Sequence, residues 1–331
     1  MVRLGLGGWL VILLSCSGAG CIHTRQPQPP PLSADESALR IGPPGRPALV
    51  YRRGTDGLKP YVQSLVTPGG VELLRDEPPG HEHHHGLMLA VGVDDVDFWG
   101  ERYAEIPGRQ SADSEQWAWQ GWDWPSGAAS LSSRVQWTDP RDGSVRLEEA
   151  RWLICRPGTG PAPLELTWIS VLSVPQGRER AALWGRAYFG LGLRFAEPFE
   201  RAGCFFNSDG AEGVVVRGDE RLTAARWCAY TAEVGGRTVT VAMFDHPQNP
   251  RHPARFFTMA DPFAYLSATL DLAEHPLELT PAEPIELAWG LAAWDAPVTP
   301  EEIDQTYRAW VAGAPFPKQA APQAGPASQG D

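Results

Sequence analysis

The stretch VQWTDPRDGSVRLEEARWL, residues 135–153, decides the fold. Val135 and Trp137 alternate with Gln136 and Thr138, and Asp139-Pro140-Arg141-Asp142-Gly143 then interrupts with turn chemistry. Alternation resumes from Ser144 to Leu153. A two-residue period is that of a strand with one buried face, and proline and glycine suit a reversal better than a continuing strand, so the stretch predicts a β-hairpin. Segments 164–172, 213–216, 237–244, 266–272 and 284–289 repeat the pattern. Many strands with polar turns and few 3.6-residue periods predict an all-β protein, a large antiparallel β-sandwich.

One helix interrupts the pattern. Thr299-Pro300-Glu301-Glu302 places a capping threonine, a first-turn proline and a capping-box glutamate before Ile303, Tyr307 and Trp310. These are helix-start signals, so a short C-terminal helix is expected to pack on a sheet edge or face.

The chain has 331 residues with 43% hydrophobic side chains, enough to build a large core and too apolar for general disorder. Forty acidic against 28 basic residues give a net charge of −12, which repels phosphate backbones and excludes non-specific nucleic-acid binding. Arg3 precedes an uncharged run from Leu4 to Ser15, a short export signal rather than a mature membrane span. Leu13-Leu14-Ser15-Cys16 resembles a bacterial lipobox, with Gly18-Ala19-Gly20-Cys21 as a second match. Lipidation at Cys16, or alternatively Cys21, would place the protein in the bacterial cell envelope, periplasmic or outer-membrane, touching membrane only through that anchor. Simple secretory cleavage near Ala19 or Gly20 is the competing expectation. The resulting organisation is a signal over 1–21, a proline-rich tether over 22–45, one sandwich domain over 46–312 and a disordered tail over 313–331. A join between two half-sandwiches near 175–200 is the alternative subdivision. Cys155, Cys204 and Cys228 form no CxxC; they allow one disulfide, with buried thiols as the simpler expectation.

Candidate chemistry concentrates in two histidine segments. His81-Glu82-His83-His84-His85 follows the turn residues Pro78-Pro79-Gly80 and precedes an apolar strand. On a regular strand His81, His83 and His85 would face one way, Glu82 and His84 the other. Asp245-His246-Pro247-Gln248-Asn249-Pro250-Arg251-His252-Pro253 is the second; its prolines would hold His246, Asn249, Arg251 and His252 for a ligand at little entropic cost. An ordinary proline-rich turn is the plain alternative. Asp97 and Glu101 lie between the two segments and are candidate acid/base groups or metal ligands; Arg251 or Arg109 could hold an anionic group. No HExxH is present, and a metal is not expected. If a divalent metal does bind, imidazole and carboxylate suit it, with His81, His83, His246 and His252 as ligands. Fourteen tryptophans, four of them at 117, 119, 122 and 124, supply core packing or a stacking platform for sugar rings.

These segments resemble the DUF6807 family, often labelled methane oxygenase PmoA-like. Gly80–Gly86 is similar to its DHPHHRG pattern, with Gly80, Glu82 and His85 departing from it, and Val93–Trp99 resembles VNGVDFW. Phe244–Pro253 resembles FDHPxNPRHP most closely. Lys59–Leu65 resembles an early KPYxxPL entry, Asn207–Gly210 an acidic turn, and Trp227–Tyr230 WCDY with Ala229 replacing its acid. Arg194 fits the family arginine, whereas a Lys-Glu pair found in relatives is missing near Ala187 and Tyr188.

The resemblance covers about residues 50–310 and implies a supersandwich like that of galactose mutarotases, with carbohydrate as the ligand. The oxygenase label does not fit, since the methane monooxygenase subunit of that name is a multi-pass membrane protein. Taken together, the candidate catalytic residues are His84, His246, Asp97 and Glu101; the candidate substrate contacts are His81, His83, Trp99, Asn249, Arg251, His252, Arg194 and Trp122. The function expected first is acid/base chemistry on a sugar, as in a hydrolase, lyase or epimerase. A non-catalytic glycan-binding or scaffold lipoprotein is the alternative, and a metal-dependent enzyme a third.

Overall fold

The computed structural model describes residues 32–54, 59–112 and 128–313. The deciding hairpin forms as its sequence dictates. Ala129–Thr138 pairs antiparallel with Val145–Arg156, and the amide of Gly143 donates to the Asp139 carbonyl at 2.8 Å. Gly143 adopts φ +74°, a left-handed turn position that glycine takes without strain. The Asp139 side chain is buried and paired with Arg141 and Arg146, which ties the turn down.

Among the described residues the strands form three sheets. An eight-stranded sheet runs in the order Gly203–Asn207, Trp227–Val234, Arg237–Asp245, Ile285–Trp294, Leu164–Ser173, Val145–Arg156, Ala129–Thr138 and Arg109–Ala112. A ten-stranded sheet runs Leu32–Ala34, Ala38–Ile41, Leu49–Arg52, Tyr61–Leu65, Leu87–Ala90, Gly190–Arg194, Tyr265–Thr269, Arg255–Met259, Glu220–Ala224 and Val214–Arg217. A small third sheet joins Leu277–Leu279, Ala181–Trp184, Gly92–Val93 and Val96–Asp97. Side chains from both large sheets share one apolar core that includes Leu87, Leu193, Trp137, Trp168 and Trp289. The all-β sandwich is therefore as expected.

The helix spans Pro300–Gly313. The Glu302 amide donates to Thr299 Oγ1 at 3.3 Å and the Thr299 amide to Glu302 Oε2 at 2.9 Å, a reciprocal capping box. Ile303 and Tyr307 cover Trp227, Ala229, Phe244 and Ala292 on a face of the eight-stranded sheet, in a cluster separate from the main core.

Two boundaries move. The expected tether over 22–45 enters the sandwich at Leu32: Leu39 and Ile41 are buried, so this stretch contributes edge strands rather than spacer. Leu87–Ala90 pairs directly with Gly190–Arg194, so hydrogen bonding crosses the suggested join near 175–200. Cys155 and Cys228 are buried free thiols as the simpler expectation had it, whereas Cys204 is exposed.

Gly86 sets the position of the first histidine segment. Its φ is +32°, and a Cβ there would sit 2.2 Å from the Val62 carbonyl oxygen. The close approach allows the strand after the histidines to enter beside Tyr61–Leu65. Gly86→Ala is expected to destabilise the protein by about 2 kcal/mol or more, read by chemical denaturation.

Candidate functional site

The first histidine segment does not behave as a strand. The His81 amide donates to the Pro78 carbonyl and the His84 amide to the His81 carbonyl, at 2.8 and 2.9 Å, so the chain coils through two tight turns before His85. The turns cancel the strand alternation. His81, His83 and His84 all reach one cleft of about 590 Å³, while Glu82 turns outward to Tyr103 and Arg102.

The three imidazoles pack as a cluster. Ring centroids lie 4.4 Å apart for His83 and His84, 5.0 Å for His81 and His84, and 6.1 Å for His81 and His83. Trp99 stands against His83 and His84 at 5.0 and 5.2 Å and stacks on Phe189. Phe263 closes on His81 and His84 from the other side. The far rim is built from Arg217, Gly218, Asp219 and Glu220, with Asp261 and Pro262 beside Phe263.

Burial, then its neighbours His83 and His81, push His84 down to about 2; burial and then the charge of Lys59 push His83 down to about 4. His81 is also lowered, by burial first. At neutral pH the cluster is therefore uncharged, and each ring offers one donor and one acceptor nitrogen. The Nδ1 atoms of both His83 and His84 are buried without a hydrogen-bond partner among the described residues. A buried, unsatisfied polar atom costs stability.

Beneath the cleft runs a second, satisfied network. Lys59 Nζ lies 2.8 Å from Glu101 Oε1 and donates to the Trp99 carbonyl at 3.0 Å. Glu101 Oε1 lies 2.7 Å from His85 Nε2, and His85 Nδ1 lies 3.0 Å from Asp76 Oδ1. Tyr61 and Gln63 both donate to Asp76 Oδ2. Burial opposes ionisation of Glu101, but Lys59 and His85 prevail and hold it at about 2. Burial likewise works against protonated His85, but its hydrogen bonds to Asp76 and Glu101 raise it above the ordinary histidine value. Asp76, Glu77 and His85 place ligand atoms within 4.8 Å of one another, a spacing that could hold a metal ion.

The expected site residues therefore divide. His81, His83, His84, Asp97 and Trp99 line the cleft. Asp97 spends its Oδ1 on the amides of Trp99 and Gly100, at 2.7 and 2.9 Å, and so holds the turn. Glu101 belongs to the network below. Arg194 is buried, pairs with Glu200 at 2.8 Å and lies 3.8 Å beneath the Phe263 ring, supporting the wall without lining the cleft. Trp122 and the other clustered tryptophans, Cys16 and Cys21 lie outside the described residues.

The second histidine segment lines no part of this cleft. His252 Nδ1 lies 2.7 Å from Asp245 Oδ2, which also accepts the Ala254 amide. Asn249 bonds Asp245 and both backbone groups of Ala288. Arg251 donates to the carbonyls of Leu270, His275 and Pro276, and the His246 ring abuts Trp310 of the helix. These groups close the sandwich end by satisfying backbone that strands leave unpaired. The metal set His81, His83, His246 and His252 is not assembled: among the described residues Asp76, Glu77 and His85 are the one such group.

Lys59, Tyr103, Tyr188, Phe263 and Tyr265 were missed as site residues. Lys59 carried a usable signal, one of two lysines in the chain and placed just before a strand. Phe263, from a hairpin turn, and Tyr265, from the strand after it, arrive from far along the chain and carried none.

The molecule is thus a β-sandwich protein with a histidine-lined cleft at one sheet. It belongs to the family of unknown function DUF6807, whose model matches residues 38–308. No curated protein sequence matches the chain. Among solved structures it is similar to the Slr1438 protein from Synechocystis sp. PCC 6803, at 13% identity over 82% of this chain and 98% of that one, TM-score 0.40. It is also similar to α-galactosidases from Lactobacillus brevis and Geobacillus stearothermophilus, each at 10% identity over 80% of this chain, with TM-scores of 0.42 and 0.40. It spans 39% and 40% of the lengths of those two enzymes. No α-helix among the described residues is long and apolar enough to cross a membrane.

Proposed function

We propose that the cleft binds an uncharged sugar unit, and that the protein is a glycan-binding member of an exported, envelope-associated system. The observation that carries this is the cluster of neutral His81, His83 and His84 rings lining the cleft between the aromatic walls of Trp99 and Phe263. A sugar presents C–H faces that pack on such rings, and its hydroxyls both donate and accept, matching neutral imidazole. Export and lipidation at Cys16 or Cys21 rest on the N-terminal sequence alone.

Turnover on the sugar is the less favoured reading. Hydrolase, lyase or epimerase chemistry needs a group that exchanges a proton near neutral pH. His83 and His84 are held well below that range, and Asp97 and Glu101 are committed to backbone and ion-pair contacts.

Titration calorimetry with a panel of neutral mono- and oligosaccharides tests the proposal. At least one should bind, and His84→Ala should weaken it about tenfold or more, the cost of a lost buried hydrogen bond. His246→Ala should leave affinity unchanged. Equal loss in both variants, or no binding across the panel, contradicts a sugar site in this cleft. Conversion of the bound sugar by the wild type would move the protein to the enzymatic reading.

A further inference from the structure

We infer that Asp76, Glu77 and His85 form a divalent transition-metal site of the zinc class that fastens the base of the histidine loop. Three donors meet here: His85 Nδ1 lies 3.0 Å from Asp76 Oδ1 and 3.7 Å from Glu77 Oε1. One imidazole and two carboxylates are a donor set for Zn²⁺, with water completing the coordination.

The surroundings fit metal ligation as well as the donors do. A metal-bound histidine ordinarily gives its other ring N–H to a carboxylate, and His85 Nε2 lies 2.7 Å from Glu101 Oε1. A ligating carboxylate is in turn held by hydrogen bonds, and Asp76 Oδ2 accepts from Tyr61 and Gln63, leaving Oδ1 toward His85. Lys59 offsets the charge of Glu101, so the two carboxylates of the site balance one divalent ion. The Glu77 side chain is half exposed, which gives an ion a way in from solvent.

The position explains what the ion would do. Asp76 and Glu77 stand at one end of the loop and His85 at the other, across the isolated bridge between Asp76 and His85. The Glu77 amide also donates to the His84 carbonyl at 3.0 Å. The turns carrying His81, His83 and His84 lie wholly between these residues. A metal bond across the base removes loop freedom that the open chain would regain, and so stabilises the turn that presents the cleft imidazoles. The site itself does not depend on what the cleft binds.

The test is Zn²⁺ binding to tag-free protein, measured by calorimetry and by metal content after gel filtration. Expected is one equivalent, a raised Tm, and slower amide exchange over residues 77–84 with Zn²⁺ than with chelator. Glu77→Gln, at an exposed position, should retain the fold and weaken Zn²⁺ more than about tenfold. Asp76→Asn should do the same. No stoichiometric binding, or stoichiometric binding unaffected in Glu77→Gln, overturns the assignment. Sugar affinity is measured separately, so failure here leaves the cleft proposal standing, and the converse holds.

Discussion

Lys59→Met is expected to cost about 3–5 kcal/mol of folding stability, the cost of breaking a buried ion pair from one side. Lys59 is 1% exposed and its ammonium bridges Glu101 and the Trp99 carbonyl. Removing it leaves the buried Glu101 carboxylate with His85 as its remaining charged partner and frees the backbone that positions Trp99. Glu101→Gln in the same chain should recover part of the loss, because the buried charge that lost its ammonium is gone; the two changes should therefore be clearly non-additive. Urea denaturation of the wild type, both single variants and the double variant reads this directly. A cost below about 1 kcal/mol for Lys59→Met would mean the network is not what holds the floor.

The second large effect is acid lability set by the cleft histidines. His84 is 5% exposed and titrates at about 2 in the folded protein, against the ordinary histidine value near 6.5 in the unfolded chain. Between those values the unfolded chain binds the proton and the folded protein does not. Stability is thus fully present above about pH 6.5 and falls with acidification, by about 1.4 kcal/mol per pH unit for this one group. His83 adds to the loss down to about pH 4, by less, since it is more open to solvent. Glu101 contributes in the same direction below its ordinary value, and its share is lost as pH falls toward 2. In metal-free protein His85 has the opposite sign: its raised value gives stability that is whole at low pH and is lost as pH rises through it. The expected profile falls steeply from pH 6.5 to 4, and His84→Leu should flatten it. A wild-type profile flat across that range would mean His84 is protonated in the fold.

Local features were readable from sequence, and features assembled at a distance were not. The hairpin at 129–156 and the Thr299–Glu302 cap form from neighbouring residues, so a short window contains their causes. In the 22–45 segment the prolines signal a spacer, whereas Ala38-Leu39-Arg40-Ile41 is buried through pairing with Leu49–Arg52, which local composition does not show. The His81–His85 cluster was recognised, but strand alternation split it; Pro78-Pro79-Gly80 instead begins turns that gather three rings on one side. The most specific family stretch, 244–253, gave the least about the cleft. Carboxylate, amide and guanidinium groups that suit a ligand equally suit unpaired backbone, and Asp245, Asn249 and Arg251 spend themselves there. The rim at 217–220 and the wall at 261–265 are the turns of two hairpins in the ten-stranded sheet, brought to the histidines by long-range strand order that no local pattern encodes.

The central claim is that the His81–His83–His84 cleft is where the ligand sits. Histidine ring signals in ¹³C-resolved NMR, followed while a binding saccharide is added, test it most directly. Saturable shifts are expected in the His81, His83 and His84 rings, with the His246 and His252 rings unmoved. Shifts confined to His246 and His252 would contradict it, and place recognition at the end of the sandwich instead.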